Sequence, residues 1–202
     1  MTTLYTIPFT CSQAALIVAR ELGLELTVDR VDRATKVTAS GRNFLDVNPL
    51  GYVPVLELDD GTVLTEVAAV LTWLCDQRPG VMLPPPGTRE AAVALSQLAF
   101  VSTEVHKTFS ILFNSKAPED FKAVAKEILG RRFAVLDQRL ATQPFMLGES
   151  FSAVDAYLFV VVGWSRVLKI DLAEWPNLKA FTTRVLERPN VRAVIDSEKV
   201  RV

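Results

Sequence analysis

Residues 4–7 form a short apolar run stopped by Pro8, which predicts a strand. Residues 12–24 predict a helix, because Ala15, Val18 and Leu22 recur at spacings of three and four and Gly23 supplies the stop. Residues 26–31 alternate and predict a second strand, and residues 43–47 predict at most a helical turn. Val55-Leu56-Glu57-Leu58 and Thr62-Val63-Leu64 flank Asp59-Asp60-Gly61, a pattern that predicts a β-hairpin. A helix follows from Glu66, with Val67, Val70, Leu71 and Leu74 on one face. Pro79-Gly80 and Pro84-Pro85-Pro86-Gly87 then mark a linker, and beyond it the strand signal ends.

The second part of the chain predicts only helices. Leu95, Leu98, Val101, Val105, Phe109 and Leu112 keep helical spacing, as do Ala125, Leu129, Phe133, Leu136 and Leu140. Residues 154–168 are apolar nearly all round and predict a central buried helix, opened by a Ser152-x-x-Asp155 capping pair. Pro176 opens a further helix that stops at Arg188-Pro189. The pattern divides the chain into an α/β domain over residues 1–79 and an all-helical domain over residues 88–202.

Half of the 202 residues are hydrophobic, enough for a packed core. The formal net charge is −1, which argues against binding nucleic acid or a membrane surface through bulk charge. The longest apolar stretch is far too short to span a bilayer. Two cysteines, without metal-ligand spacing, point to a reducing compartment, and the opening residues lack the pattern of a signal peptide, so the expected location is the cytoplasm.

Cys11 lies just past the first strand, at the first turn of the first helix, where unpaired N–H groups and the helix dipole favour an anion such as a thiolate. A helix terminus supplies about 0.3–1 kcal/mol, at most about 2, which would move a thiol from about 8.5 to about 7–8. A second donor or cation is needed for full ionisation. The other reading of Cys11 is a buried structural thiol. Pro54 enters a predicted strand, where it lacks a ladder donor, so it marks either a sheet edge or a cis-proline exposing the backbone of Val53. Glu66, at a helix start, can cap that helix or leave its N–H groups to a ligand carboxylate. His106, the only histidine, sits beside the apolar stripe of the long helix with Ala99, Thr103 and Ser110, and Lys107 follows it. Cys75, Trp73, Trp164 and Trp175 read as packing residues, and Arg131-Arg132 as a solvated face.

Taken together, Tyr5-Thr6-x-Pro8-x-x-Cys11-Ser12, Asn48-Pro49-x-Gly51-x-Val53-Pro54-Val55-Leu56, Leu64-Thr65-Glu66, Glu104-Val105-His106-Lys107 and Phe151-Ser152-x-x-Asp155-Ala156-Tyr157-Leu158 resemble the glutathione S-transferase family, in particular its bacterial beta class. The resemblance spans nearly the whole chain, and Cys11 with His106-Lys107 carries the class. It implies a thioredoxin-like N-terminal domain, an all-helical C-terminal domain and a homodimer. It further implies glutathione as co-substrate, with its sulfur near Cys11 and His106, and a hydrophobic electrophile as the second substrate. Val53, before a cis-Pro54, would pair its backbone with the cysteinyl part of the peptide. Lys36 would meet the glycine carboxylate and Glu66 the γ-glutamyl end, with Val67, Thr103 and Lys107 alongside. Phe9, Phe109 and Phe113 are candidates for the electrophile's wall.

Two positions depart from the family pattern: Val67 stands where a serine is common, and Ala99 where an asparagine is common. Losing two polar anchors, each worth roughly 0.5–1.5 kcal/mol and up to about 3 if charged, weakens glutathione binding by about one to three orders of magnitude. The resulting expectation is an enzyme that conjugates glutathione or exchanges disulfides through Cys11. The alternative is a non-catalytic binding or stress-response protein on the same fold.

Overall fold

The computed structural model describes residues 1–199. Four strands, β1 (Thr3–Thr6), β2 (Thr27–Arg30), β3 (Val55–Glu57) and β4 (Val63–Leu64), form one sheet in the order β2-β1-β3-β4. β1 and β2 run parallel, joined by helix α1 (Ser12–Glu21); β3 and β4 are antiparallel additions joined by the Asp-Asp-Gly turn. Tyr5, Ile7, Val31, Phe44, Val47 and Val55 make an apolar cluster, with the Tyr5 and Phe44 rings 5.4 Å apart. Helix α2 (Val67–Asp76) buries Val67, Val70, Leu71 and Leu74, the face its sequence predicts.

Helices α3 (Arg89–Phe100), α4 (Lys107–Phe113), α5 (Glu119–Leu140), α6 (Ala153–Gly163) and α7 (Pro176–Leu186) make up the second part. Some of the starts have an identifiable cause. Thr88 caps α3 through the Ala91 amide, and Pro176 occupies the first turn of α7, where its missing N–H costs nothing. The amides of Asn177 and Leu178 in α7 instead donate to Asp137 of α5, at 2.7 and 2.9 Å. A carboxylate from one helix thereby satisfies the orphan donors of another. Every residue of α6 from Ala153 to Val162 is buried, as its all-round apolar pattern predicts.

Three features differ from the sequence pattern. The predicted long helix is divided: a π-helical turn, Val101–His106, separates α3 from α4. Its stripe from Leu98 to Leu112 is buried as expected, but Leu95 is exposed. The predicted helix over 154–168 ends earlier, at Gly163, and continues as the 3-10 turn Trp164–Arg166.

The third difference is helix α8 (Pro189–Lys199), which follows the Arg188-Pro189 stop. The chain divides into one compact unit of Met1–Met82 with the segment from Pro189, and another of Leu83–Arg188. Sequence grouping over 88–202 places α8 with the helical unit, and its last three residues, 200–202, lie outside the described residues. The helix packs instead on α1, burying Val191, Val194 and Glu198. One Glu198 oxygen accepts from the Phe9 amide at 2.9 Å and from Gln13 Nε2 at 2.6 Å. These bonds help to hold α8 on α1, while burial pushes the Glu198 carboxyl up. No described helix is long and apolar enough to cross a membrane.

Candidate active site

The loop between β1 and α1 delivers Cys11. Ser12 fixes the loop from below: its Oγ accepts from the Ile7 amide at 3.2 Å and donates to the Ile7 carbonyl at 3.1 Å. Thr10 Oγ1 also donates to the Ile7 carbonyl, at 2.7 Å. Phe9 takes a left-handed φ of 59°, strained for a residue with a side chain, and its amide is the one held by Glu198. Cys11 is the N-cap residue of α1, and its Sγ donates to the Val53 carbonyl at 3.1 Å.

The expectation of a thiol lowered to about 7–8 by the helix terminus is corrected. Burial pushes the Cys11 thiol up to about 12. The Cys11 and Ser12 backbone N–H groups and Arg33 pull it down, and the Glu66 charge pushes it further up. Desolvation outweighs a dipole effect of about 2 kcal/mol at most. Unliganded Cys11 is therefore a neutral thiol bonded to a carbonyl, and the second donor that sequence reasoning requires is needed more, not less.

The Val53–Pro54 peptide bond is cis. The loop before it is held by Asn48, whose Nδ2 donates to the Tyr52 carbonyl at 2.8 Å and whose Oδ1 accepts from the Leu50 amide. Lys36, also at a left-handed φ of 60°, lays its side chain over this loop and donates from Nζ to the Gly51 carbonyl at 3.1 Å. Gly51 has φ 64°, and a Cβ there would meet the Leu45 side chain at 3.2 Å and Lys36 Cε at 3.3 Å. Glycine is required for that close approach.

Glu66 occupies the N-cap position of α2 with φ 66°, yet its side chain makes no capping bond and is exposed. The capping role, one of its two readings, does not hold. Val67 is buried and turned into the core of the unit. Cys11, Lys36, Val53, Pro54, Glu66 and Val67 thus all belong to the first unit.

Thr103, His106 and Lys107 belong to the second unit, on or beside the π turn, a distortion frequent at functional positions. Thr103 Oγ1 donates to the Ala99 carbonyl at 3.0 Å. His106 Nδ1 lies 2.6 Å from the Tyr157 hydroxyl, and its ring packs edge-on to Trp164 with centroids 4.9 Å apart. Burial drives the His106 imidazole down to about 4, and the Lys107 charge adds to the effect. It is neutral at pH 7. Lys107 itself is exposed.

Some secondary assignments also change. Arg132 is not a solvated cation: its Nη2 lies 2.6 Å from Glu104 Oε2, tying α5 to the π turn. Phe109 is wholly buried, so of the three candidate wall residues only Phe9 and Phe113 present surface. Phe113 stands beside Trp164, with ring centroids 5.6 Å apart. Of the residues that touch His106, Trp164 reads from sequence as packing and Tyr157 only as part of the family motif. Among the described residues no group of three or more His, Cys, Asp or Glu side chains is placed to hold a metal.

Residues 10–77 match the family model of the glutathione S-transferase N-terminal domain, and residues 100–189 that of the C-terminal domain. The chain is 34% identical to glutathione S-transferase GstA of Escherichia coli O157:H7, over 96% of this chain and 97% of that protein. A solved glutathione transferase from Methylococcus capsulatus superposes with a TM-score of 0.95 at 46% identity, covering 98% of this chain and 99% of that one. A sphingomonad glutathione S-transferase, solved in complex with glutathione, superposes with a TM-score of 0.94 at 38% identity, covering 98% of this chain and 100% of the other. With both domain models matched and relatives of this identity aligned end to end, the chain belongs to the glutathione S-transferase family.

Proposed function

We propose that the protein is a glutathione transferase whose reacting group is Cys11, and that its favoured reaction is glutathione-dependent thiol–disulfide exchange. The observation that carries this reading is the Cys11 thiol at the start of α1, bonded to the carbonyl of the residue before cis-Pro54. A sulfur so placed can bond covalently to a glutathione sulfur, which a serine or tyrosine hydroxyl cannot do. The Cys11 thiolate attacks the glutathione sulfur of a mixed disulfide and releases the other thiol as thiolate. A second glutathione thiolate then attacks the Cys11–glutathione disulfide, returning Cys11 and leaving glutathione disulfide. His106 serves the sulfur in the same reaction. The electrophile for conjugation would be apolar and would meet the half-exposed Phe113 and the partly buried Trp164, which packs on His106.

The residues present suit glutathione. Val53 offers a backbone carbonyl, Lys36 a cation, and Glu66 a carboxylate not spent on capping. Val67 turns its side chain inward and offers only its first-turn amide. Titration calorimetry is expected to give saturable binding with a Kd of roughly 0.1–1 mM, weaker than a site with both polar anchors. Absence of binding at millimolar glutathione would overturn the reading and favour a non-catalytic binding module.

A homodimer is part of the same proposal. Leu50 and Tyr52 are 70% and 72% exposed on one loop, and Val93 and Leu95 are 45% and 55% exposed on α3. Apolar surface of this kind is what a second copy covers. Light scattering is expected to give twice the chain mass, and a monomer at micromolar concentration would refute it.

A further inference from the structure

We propose that Tyr157 is a positioning residue for His106: its hydroxyl donates to Nδ1 and fixes the ring proton on Nε2, so that His106 meets a sulfur as an N–H donor and not as a base. The proposal rests on the reading that His106 serves the glutathione sulfur.

The geometry begins with α6. Its N-terminus is fixed by Ser152 and Asp155, and every residue through Val162 is buried. Tyr157 lies two residues past Asp155 and is wholly buried. Trp164 follows seven residues later, at the start of the 3-10 turn that continues α6. His106 is held against both. Its ring stands at 87° to Tyr157 and at 68° to Trp164, and its Nδ1 is 2.6 Å from the Tyr157 oxygen. The imidazole has an aromatic edge on two sides, and one nitrogen is committed to a hydroxyl.

Direction follows from chemistry. A neutral imidazole has one N–H and one acceptor nitrogen, and the partner of one nitrogen decides the state of the other. The phenolic O–H, with a pKa of about 10, is a far better acid than a neutral imidazole N–H. A separation of 2.6 Å is typical of an O–H donor and short for an N–H donor. Burial keeps His106 neutral, so the alternative of two N–H groups does not arise at pH 7. The Tyr157 oxygen keeps its capacity to accept elsewhere.

The consequence is functional. A histidine protonated on Nε2 stabilises a thiolate by donating to it, as fixed donors stabilise developing anions elsewhere. It cannot take the thiol proton with that nitrogen. Proton removal from the incoming thiol is then left to solvent or to the leaving thiolate.

His106 is the only histidine, so one pair of side-chain nitrogen signals reports on it alone. In uniformly 15N-labelled protein, long-range proton–nitrogen correlation at pH 7 is expected to show Nε2 protonated and Nδ1 bare. The opposite pattern overturns the proposal. In Tyr157→Phe the nitrogen shifts are expected to move toward the average of the two tautomers. The same substitution is expected to lower kcat about 3- to 10-fold, with KM for glutathione changed less than about twofold. In a His106→Asn background, Tyr157→Phe is expected to cause no further loss, since it acts through the imidazole. An additive loss there means a general structural role and overturns the positioning. Unchanged turnover in His106→Asn alone, with Nε2 protonated in the wild type, overturns instead the reading of His106 as a group that serves the sulfur.

Discussion

Cys11→Ser is expected to lower the rate of glutathione-dependent mixed-disulfide reduction by at least about 10²-fold, because an alcohol cannot carry the disulfide intermediate. The fold should tolerate the change. A serine hydroxyl can still donate to the Val53 carbonyl that the thiol occupies at 3.1 Å, and it is close to the thiol in volume. The variant therefore separates chemistry from structure. Conjugation of glutathione to an electrophile needs no covalent bond to the protein and is expected to fall much less. Undiminished disulfide reduction in Cys11→Ser would remove Cys11 from the mechanism. A companion measurement uses the buried thiol of the wild type. With its pKa raised to about 12, only the thiolate fraction reacts with an alkylating reagent, and that fraction grows about tenfold per pH unit. The alkylation rate of the ligand-free protein is expected to climb through pH 9 without a plateau. A plateau near pH 7 would mean that the helix terminus prevails over burial.

What the sequence made legible is local. The strand–helix order of the first unit, the Asp-Asp-Gly hairpin, the inward face of α2 and the Ser152/Asp155 cap all depend on residues within a few positions of each other. The same holds for the placing of Cys11 at a helix start, which follows from Pro8 and Ser12. What escaped is long-range. The Tyr157 hydroxyl meets His106 across 51 positions, Arg132 meets Glu104 across 28, and Glu198 meets Phe9 across 189. No periodicity encodes such pairs.

The π turn at Val101–His106 has no residue signature either, because Ala, Leu, Val and Thr around it suit an ordinary helix. The direction of the Cys11 shift escaped for another reason. A dipole is read from position in a helix, whereas desolvation depends on the neighbours that close over the sulfur. The resemblance implies a partnership of Cys11 with His106, which is part of the proposed function. It did not indicate that His106 is itself gripped by Tyr157 and Trp164.

The largest loss of stability is expected from Asp155→Ala, about 3–5 kcal/mol by urea denaturation of the whole chain. Asp155 is wholly buried, and its carboxylate accepts from the Met146 amide at 2.7 Å, the Ser152 amide at 2.9 Å and the Ser152 hydroxyl. Alanine leaves two buried amides without partners, each costing about 1–3 kcal/mol, and dissolves half of the capping box. Ser152→Ala removes only the hydroxyl of the cap and is expected to cost about 0.5–2 kcal/mol. The pH dependence has a definite sign. Burial raises the Asp155 carboxyl to about 6, above its value in the unfolded chain, so the folded state holds the proton more tightly. This contribution is complete below about pH 4 and is lost as pH rises toward 6, so over that window the wild type is expected to lose stability relative to Asp155→Ala. A cost below about 1 kcal/mol in Asp155→Ala, or a variant whose pH dependence matches the wild type, would refute the account. The site would feel the loss as well. Tyr157 lies on the helix that Asp155 starts and Trp164 on the turn that continues it, so loosening its first turn is expected to loosen the ring of His106 as well.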